Sequence, residues 1–191
     1  MMERQLQRFV NYCIKRGYIE EEKAPWLYYA IQKRIAIVVV GVPFLFVGIW
    51  LSSVSQAVSF LASFYFLRER TSGAHCKNMY CCLVCSLLLE IIFLGVLPGV
   101  ISPCLLAVLV IISSGYILWK APFPCPYMHM DEGEMRACAV CSKIRTLILL
   151  STFGVAHLAN SPDILTGIGY GIVMAAFLLA IAYINPKEIV L

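Results

Sequence analysis

Residues 35–67 are 33 consecutive positions without a charged side chain, bounded by Arg34 and Arg68. In water such a run would expose more apolar surface than a small globular fold can hide. In a bilayer it is ordinary, because a spanning helix needs roughly 20 predominantly apolar residues. A second run, 78–119, carries one charge, Glu90. The whole chain suits the same solvent: 61% of its 191 residues are hydrophobic and only 14% are charged. That balance excludes a soluble cytosolic enzyme and a disordered protein. A net charge of +4, with no basic patch interleaved with aromatics, gives no ground for nucleic-acid binding. Residues 1–23 are charged and lack a continuous apolar core, so they do not read as a signal peptide.

Turn-forming residues divide the runs. Ser52, Ser53, Ser55 and Gln56 break the first into spans near 35–54 and 56–67. The second of these has about 12 residues, too few for a full crossing. Leu97-Pro98-Gly99 and Ser102-Pro103 break the next run into spans near 80–97 and 103–119. A polar segment, 120–145, follows. Two last spans, 146–158 and 164–184, flank the turn sequence Asn160-Ser161-Pro162-Asp163. The expected fold is an all-α polytopic membrane protein forming a single domain, 1–191. It has about six membrane segments; in a four-span variant, two of them are short or re-entrant.

Six crossings place every lysine and arginine on one side. The N-terminus, the loops around 68–77 and 120–145, and the C-terminus hold all 15, and the opposite turns hold none. Cations mark cytoplasmic segments, so both termini are expected in the cytoplasm. The localisation that follows is a multi-pass protein of the cell membrane. Within 1–34, Leu6, Phe9, Val10, Cys13 and Ile14 follow a helical stripe, with Arg8, Asn11, Lys15 and Arg16 on other faces. Such a helix lies on the inner leaflet or packs on the protein's own cytoplasmic face.

Nine cysteines, an odd number, lie mostly toward the basic side; only Cys104 sits near the other. The cytoplasm keeps thiols reduced, so no disulfide framework is expected. Packing, metal binding and thiolate chemistry remain open for them. The segment from Arg68 to Cys82 places a His, several Cys and three cations where the chain enters the membrane. Nearby positive charge or a His partner activates a thiol, so a Cys–His pair could be built here. A plain interfacial loop is the alternative reading.

The pattern Arg68-x6-His75-x6-Cys82, with Gly73-Ala74 before the His, resembles the accessory gene regulator protein B family. Its members are bacterial membrane cysteine endopeptidases that process quorum-sensing pro-peptides. The resemblance extends to length, the amphipathic N-terminus, the motif before the third span and Lys120-Ala121-Pro122 after the fourth. It implies Cys82 as nucleophile and His75 as base, with 68–82 as a catalytic loop facing the cytoplasm. Arg68, Arg70 and Gly73 then have supporting roles. Ser72 stands where many members have a first Gly, and Glu69 where a second basic residue is common. The implied substrate is a short pro-peptide with a charged tail. The lipid bilayer and a second copy of the chain are further partners, and no cofactor is implied.

Geometry adds its own constraint. Residues seven apart on one helix share a face but lie about 10 Å apart along the axis. His75 and Cys82 therefore cannot meet on one straight helix, and Gly73 is expected to mark a turn before the third span.

Other residues allow different chemistry. Cys82-x2-Cys85 and Cys138-x2-Cys141 could form a four-thiolate zinc site. The residues between the cysteines are apolar and helix-compatible, unlike those of zinc knuckles, and no metal is expected. Glu90 is an acid inside a span, either receiving a polar group or tying two spans together. His157 reads as an interior, hydrogen-bonded residue and His129 as a solvated one. Arg136, Lys143 and Arg145 are candidates for holding an acidic peptide tail, or are solvated anchors facing anionic lipid. A small transporter or scaffold with a cysteine metal or redox cluster is the alternative to the peptidase.

Overall fold

The computed structural model describes residues 2–73, 79–123 and 132–184. Among them the chain is helical throughout, with seven α-helices and no strand. These are α1 (Met2–Lys15), α2 (Ala24–Leu51), α3 (Val54–Thr71), α4 (Met79–Glu90), α5 (Pro103–Lys120), α6 (Glu132–Leu158) and α7 (Pro162–Ile184). The chain divides into two compact units, Met1–Pro43 and Phe44–Leu191.

In the first unit, α1 is the expected amphipathic helix. Leu6, Val10 and Cys13 are buried, while Arg8, Asn11 and Lys15 are exposed. Phe9 belongs to the expected stripe yet is exposed. The helix stops at Gly17, whose φ of 71° lets the Tyr18 N–H return to the Cys13 carbonyl at 3.0 Å. This is the glycine-terminated helix end in which a left-handed residue satisfies otherwise orphaned carbonyls.

In the second unit the expected breaks are present and their caps explain them. Ser53 has extended backbone and its Oγ accepts from the Gln56 N–H at 3.2 Å, opening α3. Ser102 does the same for Leu105 at 3.3 Å, with Pro103 in the first turn of α5. Proline fits there because it has no N–H to leave unpaired. Asn160, with φ 49°, turns the chain into α7. The third apolar segment is α-helical only to Glu90. It continues as a π-helical turn, Ile91–Val96, and a short 3-10 turn, Leu97–Gly99.

Two helix starts differ from expectation: α2 begins at Ala24, inside the segment 1–34, and α6 begins well before residue 146. The polar segment 120–145 is not loop to its end, since α6 begins at Glu132 and runs through Leu158 without interruption. Charge marks where a helix leaves hydrocarbon, but it does not end the helix. An i,i+4 pair, Arg136 to Glu132 at 3.3 Å, suits the exposed first turns of α6. Among the described residues three helices, α5, α6 and α7, are long and apolar enough to cross a membrane.

α7 is the centre of the unit, packing against α3, α5 and α6. Glycines set its distance from α3. A Cβ at Gly167 would lie 3.0 Å from the Phe60 nitrogen, and one at Gly171 would lie 2.9 Å from the Phe60 carbonyl oxygen. The spacing Gly167-x3-Gly171 thus brings two backbones together, as small residues do where no hydrophobic force separates protein from lipid. Gly169 faces the other way, against Phe153 and Leu106. At the start of α7, Asp163 accepts hydrogen bonds from Ser53 at 2.6 Å and Ser55 at 3.1 Å.

Candidate active site

The other end of α3 gathers the chemistry. Its last turn carries Arg68 and Arg70, and the helix stops at Thr71. Ser72 and Gly73 then adopt positive φ, 58° and 129°. The expected turn at Gly73 is therefore present. Glycine is required there for two reasons. Its φ suits a residue without Cβ, and a Cβ would collide with the Arg68 guanidinium and lie 3.1 Å from the Leu178 carbonyl oxygen of α7. Arg68 folds back and donates from Nη1 to the Ser72 carbonyl. Arg68 and Gly73 are thus one unit that fixes how the chain leaves α3.

Arg70 points elsewhere. Its Nη1 lies 3.9 Å from the Cys138 sulfur on α6, and its buried Nε has no hydrogen-bond partner among the described residues. The two arginines thus have different neighbours. Glu69, between them, receives Arg145 of α6 at 2.7 Å. Arg145 also donates to the Phe66 carbonyl at 2.7 Å and stacks over the Phe66 ring. Arg136 pairs within its own helix, and Lys143 is exposed.

The segment after α5 closes against the same end. The Phe123 N–H donates to the Thr71 carbonyl at 3.0 Å, and the Phe123 ring meets Tyr183 edge-on. Tyr183 donates to the Lys120 carbonyl at 2.7 Å, while the Lys120 ammonium lies over the rings of Trp119 and Tyr183. The ends of α3, α5 and α7 are thereby tied together around residues 71–73.

Cys82 is the fourth residue of α4, in the first turn, where backbone N–H groups have no partner inside the helix. His75 lies outside the described residues, as do the side chain of Cys82 and the whole of Cys125 and His129. Cys85 and Cys104 are exposed, and Cys138 and Cys141 are half-buried. Among the described residues, no three His, Cys, Asp or Glu side chains come together as a metal site.

Glu90 is the last residue of α4, eight positions after Cys82, and lies deep in the unit. It is 1% exposed, with Oε2 unpartnered. A Cβ on Gly48 would stand 2.9 Å from its Oε1 and 3.0 Å from the Ala57 Cβ, so a side chain there would make the carboxyl shift. His157 is exposed rather than interior, because it falls on the outer face of α6 one residue before the helix ends.

Two features escaped the sequence reading. The Gly167-x3-Gly171 spacing was visible and would have marked α7 as the central helix. The Glu69–Arg145 clasp was not, since it joins residues 76 positions apart.

Residues 6–179, nearly the whole chain, match the family described as Accessory gene regulator B. The chain belongs to this family. No curated protein and no solved structure matches it. Accessory gene regulator B membership is consistent with pro-peptide processing at a membrane. A φ of 58° with ψ −150° is backbone that favours glycine, so Ser72 holds strain that a glycine at this place would not.

Proposed function

We propose that this protein is a membrane-embedded cysteine endopeptidase that removes the C-terminal tail of a short quorum-sensing pro-peptide and cyclises the remaining core. The observation that carries this reading is the family match, which spans the Arg68-x6-His75-x6-Cys82 motif. The placement of Cys82 in the first turn of α4 supports it.

In this reading the Cys82 thiol attacks the carbonyl at the end of the peptide core. His75 takes the thiol proton and passes it to the leaving amine, so the tail departs and a thioester joins the core to Cys82. A thiol or hydroxyl of the core then attacks that thioester, closing a macrocycle and restoring Cys82. One thioester replacing another is close to isoenergetic, so water must be kept from the acyl-enzyme. In this reading the N–H groups that open α4 supply the hydrogen bonds to the oxyanion of each tetrahedral intermediate. Arg68 and Gly73 act as positioning residues by fixing the exit from α3.

The site faces the cytoplasm in this proposal. Support comes from Arg68, Arg70, Lys120 and Arg145 gathering at one end, while the described turns at the other end hold no Lys or Arg. Exposed Arg136 and Lys143 provide positive potential at the same end for an acidic tail.

The test is co-expression with a candidate pro-peptide encoded nearby, followed by mass spectrometry. Appearance of free tail together with a core lighter by one water marks cleavage with cyclisation. A peptide recovered intact beside correctly inserted protein returns the assignment to a transporter or scaffold.

A further inference from the structure

The end of a helix frays, because its last four carbonyls have no partner inside the helix. At α3 that looseness would reach the chemistry. The chain leaves the helix through Ser72 and Gly73, and His75 follows two residues later, at most about 7 Å from Gly73. Whatever holds the last turn of α3 therefore limits where His75 can lie.

Restraints reach that turn from several sides. Arg68 folds back to the Ser72 carbonyl from within the segment. The Phe123 N–H reaches the Thr71 carbonyl from the chain after α5. From α6 the restraint is a single side chain. Phe66 and Glu69, three residues apart, share a face of α3, and Arg145 takes both. Its Nη1 donates to the Phe66 carbonyl and to Glu69 Oε2, each at 2.7 Å. A guanidinium Nη carries two protons, so Nη1 is fully engaged. The guanidinium carbon also stands 4.7 Å over the centre of the Phe66 ring, and the side chain is only 19% exposed. Arg136 and Lys143 of the same helix are exposed instead.

We propose that Arg145 is a positioning residue for the catalytic pair: from α6 it straps the last turn of α3, and with it the point from which the chain departs toward His75. This rests on the peptidase reading for what is positioned. Attraction of an acidic tail is then left to Arg136 and Lys143.

The experiment uses full-length protein in vesicles and two peptides, one with an acidic tail and one with each tail carboxylate replaced by its amide. Tail release is measured for wild type, Arg145→Met, Arg145→Lys, Glu69→Ala and the double variant Glu69→Ala/Arg145→Met. The rate of iodoacetamide alkylation at Cys82, read by peptide mass spectrometry, is followed in the same proteins and in His75→Ala. Arg145→Met is expected to lower kcat about 10- to 100-fold, since small misplacements of reacting groups cost that much. KM should stay within about 3-fold, and the loss should be equal on both tails. The double variant should be no worse than Arg145→Met, because the two side chains act as one clasp. Arg145→Lys should recover part of the rate, keeping the charge without the fork. Cys82 alkylation should slow in parallel, toward its rate in His75→Ala, because a thiol without its base is less often thiolate. A partly exposed pair contributes little to folding, so the unfolding midpoint should move by less than about 4 °C.

A loss confined to KM on the acidic tail makes Arg145 a tail contact and overturns the proposal. So does a loss that follows the unfolding midpoint, an additive loss in the double variant, or no loss at all. If wild type cleaves neither peptide, the peptidase reading falls and Cys82 alkylation decides. Slowing by both Arg145→Met and His75→Ala then keeps the strap, and no slowing by Arg145→Met removes it. If His75→Ala stops turnover while Arg145→Met changes neither kcat nor alkylation, the peptidase reading stands and the strap falls.

Discussion

The two ends of α3 are built on opposite rules. Near its start, Gln56 and Phe60 meet Gly167 and Gly171 of α7 backbone against backbone, with no room for even one added methyl group. Near its finish, the same helix carries Arg68, Glu69 and Arg70, which reach outward to a carbonyl, a cation and a thiol. The first arrangement fixes where helices lie. The second leaves polar capacity unmet and the backbone strained at Ser72. Small residues therefore serve position at one end, and long charged ones serve chemistry at the other. Substitutions should separate accordingly: loss of folding at the seam, loss of turnover with folding intact at the basic end.

The sharpest break falls on the catalytic pair. Cys82→Ala is expected to abolish tail release while the protein still inserts and resists unfolding like wild type, because only a small side chain is lost. His75→Ala is expected to stop turnover as well, since an unassisted thiol of reference pKa about 8.5 is only a few per cent thiolate at neutral pH. Cys85→Ala and Cys138→Ala should each retain substantial activity. The check is mass spectrometry of co-expressed peptide with a protease-protection assay for insertion. If Cys85 and Cys138 proved as necessary as Cys82, a thiolate metal cluster would displace the dyad.

Next in size is the seam. Gly171→Val places a branched side chain where a Cβ already meets the Phe60 oxygen at 2.9 Å, so α3 and α7 must separate. The expected cost is about 2–4 kcal/mol, seen as a lower midpoint of thermal unfolding in detergent. Gly154→Ala on α6 is the matched control. Nothing lies within 4 Å of a Cβ there, so it should be neutral or stabilise by less than about 1 kcal/mol. Equal losses at both sites would mean that α7 is not held by close glycine contact.

Much of this comparison was legible in the sequence. The uncharged runs gave the apolar helices, and Ser53, Ser102 and Pro162 gave their starts, because caps and spans are local properties. Gly73 was legible as a turn because a helical path cannot bring His75 to Cys82. The beginning of α6 was missed, since hydropathy reports where a helix enters hydrocarbon and Glu132–Arg136 lies outside it. Glu90 was legible as an anomaly, but its dependence on Gly48 was not. That contact needs α2 and α4 in register, and the sequence holds no local trace of it. α7 has a higher hydropathy than α5 and α6, yet hydropathy does not say that 61% of its most apolar stretch is buried against 22% of theirs. Only its glycine spacing carries that information.

Strain at the basic end supplies a smaller effect. Ser72 occupies positive φ with ψ −150°, a region costing of order 1–3 kcal/mol for a residue with a Cβ. Ser72→Gly should recover about 1 kcal/mol of that, offset by the extra freedom glycine has when unfolded. A rise in the unfolding midpoint is the expected reading. If tail release falls while stability rises, the strained turn is part of how the catalytic loop is set. If both rise together, Ser72 is merely a poor fit.

The smallest effect bears on which end faces where. Cys104 lies in the first turn of α5, at the end opposite Arg68 and Arg70, and is exposed. Placing the basic end in the cytoplasm makes Cys104 the thiol that a membrane-impermeant maleimide reaches from outside intact cells. Cys125, five residues beyond Lys120 in the chain, should be labelled only after the membrane is opened. Single-cysteine variants retaining Cys104 or Cys125 make the result unambiguous, because Cys85 and Cys138 then contribute no signal. Labelling of Cys125 in intact cells with Cys104 silent would invert the orientation. The candidate nucleophile would then sit outside the cell, where the pro-peptide would have to be exported before it is cut.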